Sequence, residues 1–449
     1  MSKDIRIKKG LNISLKGEAE QTTTQHATGG FYAIKPSDFH GITVKLIAKE
    51  GAEVKAGEPL FYSKSDERIL FPSPVSGKVT EVIRGERRKV LAINIAANAT
   101  QEFKDFGTKD AASMSAEEVK NHLLASGCWP FVKQRPYDVV ANPNQAPKAI
   151  FVSAYASAPL AADLDYTLKG KEAELQAALI AVGKLTEGKL HVSVGKSANS
   201  PFSNLKGIEI HKVSGPHPIG NVGTQIAQID PINKGEVVWV ITPQDLVVIG
   251  ELLLTGKFNI TRTVALTGSQ FRKPHYVTVT AGAKVATIVK GNLDNDNTRI
   301  ISGNVLSGNH VKEEGFIGYY DNQITAIPEG DDYEFFGWNK PVFNKISTSR
   351  ALTFSWLTPN KKYDLNTNTN GEHRAFVVTG SYEKVFPLDL YPMQLLKACM
   401  YKDLDEMEAL GAYEVAPEDF ALTEFICVSK QPHQKIIREG LDLMREELG

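Results

Sequence analysis

Apolar and polar positions change their spacing several times along the chain. At the start, Ile5-Arg6-Ile7-Lys8 alternates with period two. That predicts one or two strands over residues 3–16, around the turn Lys9-Gly10-Leu11-Asn12. Residues 21–30 are polar and aperiodic, and predict a loop. From Gly41 to Ile95 short aliphatic runs are punctuated by glycine and proline. From Ala149 strands alternate with helices: Ala149 to Ser153, Leu190 to Val194, Ile208 to Val213 and Glu236 to Ile241 are compact apolar runs. Between them, Glu172 to Leu185 sets Leu175, Leu179 and Val182 on one helical face. Thr242-Pro243-Gln244-Asp245 reads as an N-cap, an N1 proline and an N3 acid. After Thr261 the period returns to two, in Thr263 to Thr267, Tyr276 to Thr280 and Arg299 to Leu306. Gly315 to Tyr320 and Gln323 to Ile327 flank Asp321-Asn322, a hairpin signal. After Tyr391 the pattern is helical, with Pro392 and Pro417 at N1 positions, Gly411 as a cap and Ile436 to Leu448 as the last helix.

The stretch Gly41 to Ile95 contains two half-motifs, Gly51-Ala-Glu-Val54-Lys-Ala-Gly57-Glu-Pro-Leu60 and Ser73-Pro-Val-Ser-Gly77-Lys-Val79. Together they resemble the biotinyl/lipoyl-carrier fold, a barrel-sandwich hybrid of two interlocked hairpins. The usual spacing of a modified lysine lands on Asp66, with Lys64 two residues away and no flanking methionine. A carrier fold without a swinging arm is therefore expected. The hairpin Val79 to Leu91 turns at Arg84-Gly85-Glu86 and gathers Arg84, Arg87 and Arg88 at its tip, a candidate docking surface for an acidic partner or a headgroup. The fold expected is a multidomain α/β and α+β chain. Residues 1–105 form the barrel, 106–257 a doubly wound, Rossmann-like α/β domain, 258–330 a β-grasp domain of SLBB-like type, and 331–449 a connecting segment and helical bundle.

A length of 449 residues requires more than one core. With 51 basic and 52 acidic residues, no global positive field points to nucleic acid. The most apolar window, Val237 to Leu254, is broken by Pro243, Asp245 and Glu251, and reads as strand, turn and helix rather than a membrane span. Cys128, Cys399 and Cys427 are far apart, form no CxxC pair and suit a reducing compartment.

The best candidate for chemistry is Gly215-Pro216-His217-Pro218-Ile219-Gly220-Asn221-Val222-Gly223-Thr224. It follows a strand and precedes a short helix, Thr224 to Gln228, at the sheet edge where α/β domains bind ligands. It matches neither G-x-G-x-x-G nor the Walker pattern, because Asn221 and Val222 replace the lysine and hydroxyl residue. None of the ten histidines forms HxH or HExxH, and His211, on the preceding strand, is the nearest in sequence to His217. Asp294-Asn295-Asp296-Asn297 lacks the glycine and late glutamate of a calcium loop. The site expectation is thus no catalytic residue, no cofactor ligand and no metal ligand in this chain. Aromatic residues in Phe335-Phe336-Gly337-Trp338 and Phe354-Ser-Trp356 could form a partner patch, and packing between domains is the commoner outcome for such residues.

Several of these stretches together resemble one family. Lys8-Lys9-Gly10-Leu11, Val82 to Arg88, the Gly215-Pro216-His217-Pro218 loop with Gly223-Thr224, and Arg299 to Gly308 look like the NqrA family, the A component of the sodium-translocating NADH:quinone oxidoreductase, as do Leu388 to Pro392 and Phe420 to Cys427. The resemblance implies a peripheral subunit on the cytoplasmic face of a bacterial inner membrane. Its partners would be the B to F components of the same complex, most directly the membrane-embedded B component. Those partners would hold flavins and Fe–S centres, while the complex oxidises NADH, reduces ubiquinone to ubiquinol and exports Na+. The domain order also resembles the NADH-binding flavoprotein of respiratory complex I and the C component of the Rnf complex, which makes a flavin- or NADH-binding oxidoreductase the alternative. Only Cys399 and Cys427 lie in the tail, too few for a four-thiolate cluster. A scaffold without its own redox cofactor is therefore expected. If ubiquinone binds here, His217, Pro218, Gly220, Gly223 and Thr224 are the expected contacts, with His217 donating to a quinone carbonyl.

Overall fold

Residues that alternate along the strand Ala149–Ala154 divide between two faces of a sheet, and this organises the central domain. Ile150 and Val152 join the core that contains the helices Glu172–Gly183 and Pro243–Thr255. Ala149 and Phe151 face the helix Val222–Ile229, with Val222, Ile226 and Ile229. The sheet is thus covered on both sides, as a doubly wound domain requires. In this computed structural model, residues 2–449 are described except 197–198, 331–333, 338, 341–342, 349–351 and 379, with the side chains of 353 and 354 also set aside.

The sheet has seven strands in the order Asp4–Arg6, Glu209–Ser214, Lys189–Gly195, Ala149–Ala154, Val238–Val240, Lys133–Arg135 and Val139–Val140. The first five are parallel and the last two antiparallel. Chain order reverses between Ala149–Ala154 and Val238–Val240, which puts the topological switch point at their carboxyl ends. Local signals placed the helices well. The Thr242 side chain accepts the Asp245 N–H at 3.3 Å, Gly256 closes the helix at φ +71°, and Ser115 with Glu118 forms a complete capping box on Ala116–Ser126. Gly250 lets the two long helices touch, because a Cβ there would lie 1.9 Å from the Glu174 carbonyl oxygen.

The barrel is a four-stranded sheet (Phe31–Ile34, Val90–Ala97, Gly77–Arg84, Glu53–Val54) over a three-stranded one (Val44–Leu46, Pro59–Ser63, Asp66–Pro72). Leu60, Phe61, Phe71, Val79, Ile93 and Ile95 fill it. Lys64 is exposed at the turn between Pro59–Ser63 and Asp66–Pro72, and Asp66 is held by Arg68 at 2.6 Å.

Residues 1–25 lie next to the barrel in sequence and pair elsewhere. Asp4–Arg6 extends the α/β sheet. Residues 20–25, expected as loop, form an edge strand parallel to His275–Thr280. Every residue of Glu20–Gln25 is exposed, so no apolar alternation marks it, and its three threonines suit an open edge. The β-grasp sheet runs Asn309–His310, Thr298–Ser302, Gln323–Pro328, Thr261–Thr267, His275–Thr280, Glu20–Gln25, with the helix Val285–Val289 packed beside it. The hairpin at Asp321-Asn322 does not form. Residues 315–320 are not a strand, and the Asp321 carboxylate instead accepts the Ser302 hydroxyl. Gln323–Pro328 pairs antiparallel with Thr298–Ser302 and parallel with Thr261–Thr267, the two partners a β-grasp sheet supplies.

The tail is helical, with Pro392–Tyr401, Leu404–Ala409 and His433–Leu448 packed around Leu395, Leu396, Met407, Phe420 and Ile437. Pro392 opens the first of these helices, and Gly411, at φ +79°, follows the second. Among the described residues no helix is long and apolar enough to cross a membrane.

Candidate functional site

The glycine-rich loop leaves the strand Glu209–Ser214 and turns back over the carboxyl end of Ala149–Ala154. Gly215 sits at φ +134°, where a Cβ would be 2.6 Å from the Ile7 carbonyl oxygen. The His217–Pro218 peptide is cis. Gly220 packs on Ser157: a Cβ would meet the Ser157 nitrogen at 2.6 Å. Its N–H donates to Ser157 Oγ at 2.8 Å, and its carbonyl accepts from Ser153 Oγ at 2.8 Å. Ser157 Oγ lies 3.0 Å from His217 Nδ1. That hydroxyl accepts the Gly220 N–H and has one proton and one lone pair left, so it can donate to His217 Nδ1 or accept from it. In the tautomer in which it donates, the imidazole proton is on Nε2 and that nitrogen is a donor. Burial lowers the His217 pKa to about 4, so the ring is neutral at physiological pH.

The chain's own N-terminal segment covers this loop. Leu11 N–H donates to the His217 carbonyl at 2.9 Å, and His217 N–H donates to Asn12 Oδ1 at 2.9 Å. A Cβ on Gly10 would clash with the same carbonyl at 2.1 Å. The turn at residues 9–12 thus pins the loop rather than joining two strands.

The helix after the loop spans Val222–Ile229 and starts against charged groups from two other regions. A Cβ on Gly223 would lie 2.4 Å from Asp419 Oδ1 and 2.5 Å from Arg135 Nη1. Arg135 donates to Asp419 at 3.0 Å and to Glu418 at 2.8 Å. The Arg135 and Asp419 side chains are 2% and 0% exposed. Asn221 Nδ2 donates to the Glu418 carbonyl at 3.2 Å. The Arg135–Asp419 ion pair therefore fills the space at this helix N-terminus, with the guanidinium and the carboxylate equally close to Gly223. Thr224 Oγ1 is buried and has no hydrogen-bond partner among the described residues.

The structure brings His217, Pro218, Gly220, Gly223 and Thr224 into one loop and helix start. The sequence signal missed what surrounds them: Ser157, Asn12, Arg135 and Asp419 come from distant positions and stand in no motif. It also missed a pairing between strands. His191 Nδ1 and His211 Nε2 are 2.9 Å apart, and with Glu209 they form a donor set within 4.8 Å. Lys3 N–H donates to His211 Nδ1 at 3.1 Å, which puts the His211 proton on Nε2, facing His191. Lys189 holds Glu209 at 2.5 Å. A cation would need the very position that proton fills, so the group reads as a clasp tying the first strand to the sheet.

At the barrel tip, Arg84, Arg87 and Arg88 are exposed, and none forms an ion pair among the described residues. Arg87 and Arg88 have φ of +51° and +60°, a conformation unfavourable for side-chain-bearing residues. The turn covers residues 85–89, later than expected, and Arg84 reaches back to the Arg88 carbonyl at 3.2 Å. Beside it an open cleft is lined by Phe31, Thr80, Ile83, Asn94, Lys284 and Phe316.

A barrel-sandwich hybrid, a doubly wound α/β domain, an SLBB-like β-grasp domain and a helical tail define the class. Three family descriptions match in that order: "NqrA N-terminal barrel-sandwich hybrid domain" over residues 5–98, "NqrA second alpha/beta domain" over 114–258 and "NQRA C-terminal domain" over 263–313. A protein of Neisseria meningitidis serogroup B, named as the A component of the Na(+)-translocating NADH-quinone reductase, is 37% identical, over 99% of this chain and 100% of that one. Proteins of the same name from Hahella chejuensis and Rhodopirellula baltica are 36% identical (99% of this chain, 100% of theirs) and 34% identical (98% of each). The chain belongs to the NqrA family, the A component of the Na(+)-translocating NADH-quinone reductase.

Proposed function

We propose that this chain is the peripheral, cofactor-free member of a membrane complex that oxidises NADH, reduces ubiquinone to ubiquinol and moves Na+ out of the cytoplasm. It sits on the cytoplasmic face of a bacterial inner membrane. Of the B to F components, which hold the flavins and Fe–S centres, it docks most directly on the membrane-embedded B component. The observation that supports this reading is 37% identity, over 99% of the chain, to a relative named as the A component of the Na(+)-translocating NADH-quinone reductase. The thiol chemistry agrees: Cys128, Cys399 and Cys427 are buried, and burial raises the first two to about 12, far from the thiolate a cluster needs.

Catalysis belongs to the assembled complex, and the contribution of this chain is at the quinone end. There, Ser157 Oγ accepts the Gly220 N–H and contacts His217 Nδ1, and in the tautomer in which Ser157 donates to Nδ1, His217 Nε2–H donates to a quinone carbonyl. Pro218, Gly220, Gly223 and Thr224 set the path of the loop around it. The basic tip of Arg84, Arg87 and Arg88 docks on the membrane side.

Deleting the gene should abolish sodium-dependent NADH:quinone activity in membranes, and unchanged activity would sink the reading. The purified chain should be colourless; a stoichiometric flavin spectrum would favour the oxidoreductase alternative. In the complex, His217→Gln should raise the quinone KM about fivefold, the worth of one hydrogen bond. An unchanged KM removes His217 from the site without touching the place of the chain in the complex.

A further inference from the structure

The connection between the β-grasp sheet and the helical tail is closed at its base. Gly330 N–H donates to Thr367 Oγ1 at 2.8 Å, Tyr363 N–H donates to the Ser14 carbonyl at 2.8 Å, and the Tyr363 carbonyl accepts the Lys16 N–H at 2.9 Å. Between these anchors the described residues contain no strand and one short 3-10 segment, Leu352–Leu357. A long excursion of irregular chain on a tied base is the usual form of a functional loop.

Five of its apolar side chains are exposed. Phe335 is 80% exposed, Phe343 68%, Leu357 62%, Trp356 60% and Phe336 52%. Packing between domains, the commoner outcome expected from the sequence, does not account for Phe335, Phe336 and Trp356; Trp338 and the Phe354 side chain lie outside the described residues. The charge is as uneven as the exposure. Between Glu334 and Asp364 there is no acidic residue, whereas Lys340, Lys345, Arg350, Lys361 and Lys362 are basic, in a chain that as a whole has 51 basic and 52 acidic residues. Lys361 Nζ lies 6.0 Å from the Phe343 ring centroid and 5.2 Å from that of Tyr363, so cation and ring are presented together.

Lys345 pairs with Glu334 at 2.5 Å and Lys362 with Glu18 at 2.9 Å, which leaves Lys340 and Lys361 without an ion pair among the described residues. Aromatic side chains interleaved with such cations suit the headgroup region of an anionic bilayer. There the rings reach the acyl boundary and the cations meet phosphate. A protein partner would favour a compact, buried-centre patch. Here the apolar residues are strung along an irregular loop.

We propose that the segment 334–363 lies on an anionic lipid surface, with Phe335, Phe343 and Trp356 entering the headgroup–acyl boundary. This deepens the membrane association proposed above and rests on it, through a segment separate from the arginine tip.

The test uses the purified full-length chain and vesicles of phosphatidylethanolamine with phosphatidylglycerol, or of phosphatidylcholine alone. Of the four tryptophans, Trp129 and Trp239 are buried at 0% and 2% exposure, so the difference between parent and Trp356→Phe isolates an exposed reporter. On the anionic vesicles the Trp356 emission should shift to the blue and be quenched by brominated acyl chains. Lys340→Gln with Lys361→Gln should weaken binding about 25-fold, and salt should do the same to the parent, since each cation near such a surface contributes about fivefold. Phe335→Ala with Phe343→Ala should weaken it on the order of tenfold or more, as two rings leave the acyl boundary. Unchanged Trp356 emission, or affinities within twofold of the parent for both double variants, overturns the proposal. So does a chain that ignores vesicles but loses, in the Phe variants, its binding to the other detergent-solubilised components: the surface then belongs to a protein. Activity in gene-deleted membranes decides the place of the chain in the complex independently of these vesicle results.

Discussion

Arg135→Met is the most informative single change, because it removes the one cation from a set of three charges, of which Arg135 and Asp419 are buried. Arg135 ends the strand next to the edge of the α/β sheet, while Glu418 and Asp419 lie in the turn Pro417–Phe420 in the helical tail. Asp419 has no exposure and Glu418 keeps 40%. Without the guanidinium, Asp419 keeps its bond from the Ala416 N–H at 2.9 Å but faces a second carboxylate without compensation. Burial already raises the Glu418 pKa, and loss of the Arg135 charge that opposes this would raise it further. Removing one partner of a buried pair destabilises by about 3–5 kcal/mol. Replacing both is far milder, and Asp419→Asn keeps an oxygen for the Ala416 N–H. The four proteins of this double-mutant cycle, titrated with urea, should show coupling of at least about 2 kcal/mol. With slopes of about 1–3 kcal/mol per molar urea, Arg135→Met should lower the midpoint of the transition that releases the tail by roughly 1 M or more. If Arg135→Met unfolds within about 0.5 kcal/mol of the parent, or the double variant is no better than Arg135→Met, the pair does not clamp the tail to the sheet.

Two further outcomes follow from the site. His217 is held neutral, with its pKa lowered from 6.5 to about 4 by burial. Between those values the folded chain binds fewer protons than the unfolded one, so stability falls as pH drops from about 6.5 and levels off below about 4, by about 3 kcal/mol from this ring. His217→Gln should flatten that part of the stability–pH curve measured by denaturant titration, and an unaltered slope would refute the assignment. Arg84→Glu with Arg87→Glu and Arg88→Glu should release the chain from membranes at lower salt, by roughly two orders of magnitude in affinity at about 1 kcal/mol per cation; identical salt release curves would exclude the tip from docking.

Local order was written in the sequence. The Thr242 cap with Pro243, the Gly411 stop and the barrel glycines each act through neighbours a few residues away, so their effect is readable without the fold. The order of the domains followed from changes of period, and the family from stretches spread over the whole chain. Tertiary structure alone decided the rest. The edge strand Glu20–Gln25 has no buried face to imprint a pattern, and its partner is 255 residues away at the Glu20–His275 end. Asp321-Asn322 carried a turn signal, yet the strand after it found better partners on both sides. The loop around His217 was legible as glycine spacing. What makes it neutral, covered and oriented is the arrival of Asn12, Ser157 and Asp419, and hydrogen bonds across such separations leave no trace in composition or period.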